Sequence, residues 1–234
     1  MTFLSSSAPI KYADLFANVT GIKRERLPAS NPLAPQNTIR DFYKGFKPKW
    51  NDIVDNIPAE LEILQSSIVR IKSLNNMQYR LLPFLGPAGS GKTTLLMQLC
   101  WKFSTESDWD VFFLDSEPTS LLSTLEAIEK TAQAKNILVA IDDLEFFTED
   151  LQFVLKSGRL SKILLIGAER EGIWNRRGKH VLARLHYSPI YVRDFTEIDA
   201  KKILTRLERY ASWTRLGKMS EKERVRELLD KSKK

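Results

Sequence analysis

From Arg80 onward, short unbroken apolar runs alternate with longer stretches whose apolar residues recur every three to four positions. The runs "YRLLPFLG", "WDVFFLD", "NILVAIDD" and "SKILLIGAE" predict strands buried on both faces. Between them, "GKTTLLMQLCWKF", "SLLSTLEAIEKTAQA" and "TEDLQFVLKSG" predict helices. Thr119 or Ser120 caps the second of these, and Gly158 closes the third. A shorter strand, "SPIYVRDF", and a helix opened by Thr196, "TEIDAKKILTRLERYASW", complete the alternation. Upstream, Leu61, Ile63, Leu64, Ile68, Ile71 and Leu74 follow helical spacing, with Pro58 suited to a first turn. Strands alternating with helices predict an α/β fold with a parallel sheet covered on both faces.

The pattern divides the chain. Residues 1–40, rich in Ser, Pro, Asn and Ala, read as a linker or partly ordered arm. Residues 41–195 read as the core domain, and 196–234 as a short helical C-terminal segment. At the entry to the core, Phe42, Tyr43, Phe46 and Trp50 concentrate aromatic surface that can anchor on the domain edge. With 234 residues, 43% of them hydrophobic and 28% charged, the chain has enough material for one α/β domain and a small appendage.

No apolar run reaches the ~20 residues of a membrane span, and the N-terminus lacks the pattern of a leader peptide. The expected compartment is the cytoplasm. Cys100 is the single cysteine, so no internal disulfide forms, and its apolar helical context makes it a core residue. Together with His180 and His186 it is too little for a structural zinc site. The whole net charge of +7 falls in residues 201–234, where twelve Lys/Arg face five Asp/Glu. Such a tail can bind nucleic acid through phosphates, but its mixed signs at helical spacing suit a solvated helix face.

The candidate chemistry begins at "GPAGSGKTT", which matches G-x-x-x-x-G-K-[ST] between a strand and a helix. Backbone N–H groups of Gly86, Pro87-Ala88-Gly89-Ser90 and Gly91 can cradle phosphates, Pro87 excepted because it has no N–H. The glycines let the loop curl without Cβ clashes. Lys92 is expected on the β- and γ-phosphates, Thr93 on Mg²⁺, and Thr94 beside them in the first helical turn. Asp142, delivered by the strand "NILVAIDD", is expected to order the Mg²⁺ water shell, and Asp143 to polarise the attacking water. Glu145 lies further past the strand end. Arg170, at the tip of "SKILLIGAERE", is the candidate sensor of the terminal phosphate. Asp115 and Glu117 end the second strand and suit capping and loop roles. Trp174 suits packing, while Arg176 and Arg177 could act across an oligomer interface.

These residues together resemble a P-loop ATPase of the STAND class (signal-transduction ATPases with numerous domains). Within that class they are most similar to bacterial antiviral-defence members fused to sirtuin-like effectors. The likeness rests on "FYKGFKPKWNDIVDNIPAELE", "LLPFLGPAGSGKTTLLMQL", "VAIDDLE", "ILLIGAEREGIWN" and "YVRDFTEIDAKKILTRLERY", and covers about residues 40–212. It implies an ASCE/AAA-like fold, with Lys92 and Thr93 on phosphates and Mg²⁺, Asp142 and Asp143 around metal and water, and Arg170 as sensor. ATP would favour an open, oligomerising state, and slow hydrolysis to ADP would reset it.

Two departures matter. Where relatives carry an arginine before the first helix, this chain has Ala59 or Glu60, and Asp143 stands where many have Glu. Sensor and effector domains are expected to lie outside this sequence, which reads as an ATPase module. The alternative from the basic tail is a DNA-associated AAA-type ATPase, a loader or transposition helper. A small-molecule kinase would use the same loop, but no acceptor pocket is legible.

Overall fold

The computed structural model describes residues 19–22, 42, 47–74, 79–114, 118, 120–210 and 216–232. The strands are β1 (Val19–Gly21), β2 (Leu81–Gly86), β3 (Trp109–Leu114), β4 (Asn136–Ile141), β5 (Ile163–Arg170) and β6 (Ile190–Tyr191). They form one sheet in the order β1-β3-β4-β5-β2-β6. All neighbours run parallel except β1, which pairs antiparallel with β3. The helices are α1 (Trp50–Val54), α2 (Glu62–Ser73), α3 (Lys92–Ser104), α4 (Leu121–Thr131) and α5 (Thr148–Ser157). After β5 comes an irregular helical stretch, Glu171–Ile173, the π-turn Trp174–Gly178 and Lys179–Val181. α6 (Glu197–Tyr210) and α7 (Glu221–Ser232) close the chain.

Strand residues alternate faces, and the two faces feed two cores. Leu82, Phe84, Val111, Phe113, Leu138, Ala140, Leu164 and Ile166 pack under α2 and α3, against Leu64, Ile71, Leu96 and Phe103. Leu81, Leu85, Phe112, Ile137, Val139, Ile141, Ile163 and Leu165 pack against Leu125, Ile128, Leu151 and Val154 of α4 and α5. Burial on both sides is why these strands read as unbroken apolar runs. Cys100 is fully buried in the first core, and burial pushes its thiol far above the usual range.

Pro83 sits inside β2, a place that ordinarily loses a ladder hydrogen bond. Leu81 O accepts from Tyr187 N and Leu85 O accepts from Val192 N, so the odd positions of β2 face the β6 side. Pro83 therefore points its missing donor at residues between the Leu81–His186 bridge and Ile190, where no strand pairs.

Three expectations change. The stretch assigned to an N-terminal arm contains β1, whose three residues extend the sheet at β3; a strand that short carries no readable periodicity. Pro58 lies outside any helix, in a bend, because α2 begins at Glu62 after the extended Leu61. "SPIYVRDF" supplies only the two-residue β6. Of the alternative caps before α4, Ser120 accepts the Ser123 N–H, while Thr119 lies outside the described residues. Tyr43, Phe46, Asp115 and Glu117 also lie outside them. Gly158 closes α5 with φ 65°, as expected.

α6 and α7 meet through Ala200, Leu204, Val225, Leu207, Leu228 and Leu229. The hairpin is fastened to α2 by polar contacts. Asp199, buried, accepts the Glu62 N–H at 2.7 Å and the Thr196 N–H at 3.2 Å. Thr196 donates to Glu62 at 2.7 Å. On its exposed faces, Lys201–Glu197 and Arg224–Glu208 ion pairs give the solvated, mixed-charge surface read from the sequence. No helix among the described residues is long and apolar enough to cross a membrane.

Candidate functional site

The site forms at the edge of the sheet where β2 and β5 end level with each other and β4 stops at Ile141, opposite Gly167. β2 runs into the loop 87–91 and then α3, whose first residue is Lys92. Gly89 and Gly91 take φ of 75° and 84°, values that a Cβ strains. Nothing lies within 4 Å of where their Cβ atoms would stand, so backbone conformation alone asks for glycine there. Gly86 differs. It has no positive φ, but a Cβ would stand 2.2 Å from the Val192 carbonyl oxygen. Its part is to let β2 lie against the chain after β6.

Pro87, Ala88, Gly89 and Gly91 are exposed, and Ser90, Lys92, Thr93 and Thr94 half-buried. Lys92 Nζ folds back to donate to Gly86 O at 3.1 Å and Pro87 O at 2.7 Å. Desolvation holds its pKa below the usual lysine range, and the Arg170 charge adds to this. Asp142, Glu169 and Asp143 pull the other way. Lys92 is thus the centre of a cluster of opposite charges. Ser90 Oγ, in the same loop, is buried without a hydrogen-bond partner among the described residues.

Thr93 Oγ1 donates to the Asp142 carboxylate, 3.0 Å from Oδ2 and 3.2 Å from Oδ1. Lys47 Nζ stands 3.8 Å from Asp142 Oδ2. Burial raises the Asp142 carboxyl, as does the neighbouring Asp143 charge, with the Thr93 hydrogen bond and Lys47 opposing. A hydroxyl and a carboxylate in contact are hard oxygen donors suited to Mg²⁺. No cluster of three or more His, Cys, Asp or Glu fit for a metal occurs among the described residues.

Asp143 follows in the left-handed region, φ 55° and ψ 68°, with its side chain exposed. Glu145 opens into the 3₁₀ turn Leu144–Phe147 and pairs with Arg177 at 2.9 Å. Arg170 ends β5, exposed and in register with Gly86. It makes no ion pair among the described residues, and Lys92 feels its charge. Arg176 is exposed, and Trp174 is buried against Gly178.

The sequence pattern did not single out Glu169, Lys47 or Asp199. Glu169 had a signal, since it is a carboxylate closing an otherwise apolar strand, and buried acids are rare. Lys47 had none.

Two clefts open at the start of α3, one lined by Thr93 and the other by Thr94. One, of ≈ 380 Å³, lies between Lys47 and Trp50 on one side and Asp142, Asp143 and Phe146 on the other. The second, of ≈ 330 Å³, opens beside Gly89, Ser90, Gly91 and Thr94. Its other walls include Leu61, Phe195 and Ile203, so α6 covers it. Ahead of α2, Ala59 is buried and its carbonyl accepts from Gln98 at 3.3 Å, while Glu60 pairs with Lys102 at 2.6 Å.

Among solved structures, the S. cerevisiae Hsp104:casein complex in its extended conformation is similar at TM-score 0.51 and 14% identity, over 68% of this chain and 32% of that one. The Aeropyrum pernix ORC1 protein in complex with DNA is similar at TM-score 0.49 and 14% identity, over 69% of this chain and 53% of that one. At such identity the first likeness is one of fold alone. The chain spans about a third to a half of the length of these structures. No curated protein matches. Residues 40–182, more than half of the chain, match the family described as Novel STAND NTPase 5. The chain therefore belongs to that family of STAND-type NTPases.

Proposed function

We propose that this module binds ATP with Mg²⁺ and hydrolyses it slowly to ADP, acting as the regulatory switch of a bacterial signalling or antiviral-defence protein. The observation that carries the reading is the contact between Thr93 and Asp142 beside Lys92. The loop 87–91, the Lys92 cation and Thr93 hydroxyl that open α3, and the Asp142 carboxylate after β4 meet at one point. The partnerless Ser90 hydroxyl and the folded-back Lys92 ammonium suit a loop that has donors to give an anion.

In this reading the phosphates lie over Gly86–Thr94, with the base in the apolar cleft beside Gly89, Thr94, Phe195 and Ile203. Thr93 and Asp142 would hold Mg²⁺, which would supply positive charge to offset that of the phosphates. Lys92 leaves the loop carbonyls for phosphate oxygens. Asp143 orients water for in-line attack on the γ-phosphorus, and Lys92 and Arg170 neutralise the charge that develops. An Asp that is exposed and a methylene shorter than Glu favours slow turnover, which suits a timer. α6 walls the base cleft, so nucleotide state and the position of the C-terminal hairpin are physically linked.

The test is ATP binding and phosphate release by the purified chain. Wild type is expected to bind ATP in a Mg²⁺-dependent way and release phosphate slowly. Lys92→Ala is expected to lose binding, and Asp143→Asn to keep binding but lose turnover. Unchanged hydrolysis in Asp143→Asn would remove that residue from the mechanism, and no nucleotide binding by wild type would remove the reading itself.

A further inference from the structure

Glu169 is a carboxylate 3% exposed at the end of an apolar strand. Burying such a group is costly unless its oxygens are satisfied. Both are: Oε2 accepts the Glu145 N–H at 2.6 Å, and Oε1 accepts the Arg170 N–H at 2.6 Å. One carboxylate thus grips two segments of the site, the turn that carries Asp142 and Asp143 and the β5 tip that carries Arg170.

Downstream the turn is held by the buried Leu144 and Phe147, by the Thr148 hydroxyl on the Leu144 and Glu145 carbonyls, and by the Glu145–Arg177 ion pair; at Asp143 itself the restraints are fewer. Asp143 takes left-handed backbone angles, its side chain caps nothing, and its carbonyl accepts only a long bond from the Phe146 N–H, 3.3 Å. The next backbone donor after it that finds a side-chain partner is the Glu145 N–H, and that partner is Glu169. Glu169 also lies within electrostatic reach of Lys92 and Asp143. Burial, the main cause, raises its carboxyl above the usual range, although the two N–H groups oppose the shift. An apolar residue would fill this position without that desolvation. The carboxylate stands where it can accept two N–H groups at once.

We propose that Glu169 is a positioning residue that clamps the Asp142–Asp143 turn to the Arg170 tip and so sets the aim of Asp143. The proposal rests on the ATPase reading and deepens it, because it names what holds the water-orienting group. Glu169 touches neither substrate nor metal in this role. Its loss acts through Asp143, on turnover and not on nucleotide affinity.

Glu169→Gln keeps the shape but offers one acceptor oxygen and an NH₂ group, so one of the two N–H groups loses its partner. Turnover, ATP affinity, and exchange of the Glu145 and Arg170 amide protons are measured in wild type, E169Q, D143N and the double variant. Misplacing a reacting group by about 1 Å can cost roughly 100-fold. The expected result is a fall in turnover of ~10–100-fold with ATP affinity within about threefold, on the same warrant. At least one of the two amides exchanges faster, and the double variant is no slower than D143N. Turnover near the wild-type rate in E169Q overturns the proposal, as does an equal loss of ATP affinity or additive losses in the double variant. Fast exchange of both amides in wild type overturns it without any variant. Wild type that binds no ATP or releases no phosphate removes the ATPase reading and the proposal with it. Wild-type turnover that survives E169Q removes the proposal alone.

Discussion

Replacing Gly86 with Ala tests whether this first glycine of the loop is there for packing. The added Cβ would stand 2.2 Å from the Val192 carbonyl oxygen and 3.2 Å from its carbon. Ordinary C···O contacts begin near ~3.3 Å, so the Val192 carbonyl must retreat by about 1 Å. Val192 N donates to Leu85 O at 2.7 Å. If the carbonyl's retreat carries the amide with it, that bond lengthens to about 3.7 Å and is lost. Overpacking costs about 2 kcal/mol and the lost hydrogen bond about 1 kcal/mol. For a chain of this size, the resulting ~3 kcal/mol corresponds to a Tm fall of roughly 6–12 °C. Gly89→Ala makes the contrast, since nothing lies within 4 Å and only its φ of 75° is strained. It is expected to cost about 1 kcal/mol, or roughly 2–4 °C. Thermal unfolding without nucleotide and amide exchange at Val192 read both variants. A Gly86→Ala protein that melts with wild type and keeps the Val192 amide protected refutes the packing argument.

Two further outcomes follow from the same geometry. The Asp142 carboxyl is raised above its ordinary range, so the folded state binds its proton more tightly than the unfolded chain does. Stability from this group is present below the ordinary carboxylate range and is lost as pH rises through the folded value. Asp142→Asn is therefore expected to melt higher than wild type at neutral pH in the absence of Mg²⁺ and nucleotide, with the gap closing in acid; a gap independent of pH counts against the assignment. Asp199→Ala orphans the Glu62 and Thr196 N–H groups, at about 1–2 kcal/mol for each lost cap. Faster exchange at both amides and quicker proteolysis between residues 193 and 197 are expected, and unchanged exchange at Glu62 would show that Asp199 does not fasten the hairpin.

The fold was legible where burial is two-sided. β2, β3, β4 and β5 are apolar on both faces, so their composition announces them, and the α3, α4 and α5 spacings fall between them. β1 and β6 were not legible at their true size. Three residues and two residues hold no period, and both are fixed by pairing with a neighbour distant in sequence. In the site, Lys92, Thr93 and Asp142 were readable because the loop pattern and a strand-terminal acid each have local signatures. That Gly86 answers to Val192, more than a hundred residues away, has no local signature at all. Glu169 was passed over as one of several polar residues at a strand tip, and only burial separates it from its exposed neighbour Arg170.

Strand order explains why the missed residue matters. β5 lies between β2 and β4, and its pairs place Gly167 beside Ile141, Glu169 beside Leu85 and Arg170 beside Gly86. β4 ends at Ile141, while β5 continues to Arg170. The overhang puts residue 169 level with the base of the phosphate loop and next to the turn that leaves β4. A short side chain there could not reach the Glu145 N–H, and an apolar one could not accept it. Glu spans the gap and accepts from both sides, so the turn after β4 and the Arg170 tip share one anchor. Parallel register, a property of the sheet, thereby decides which residue can couple the two halves of the site.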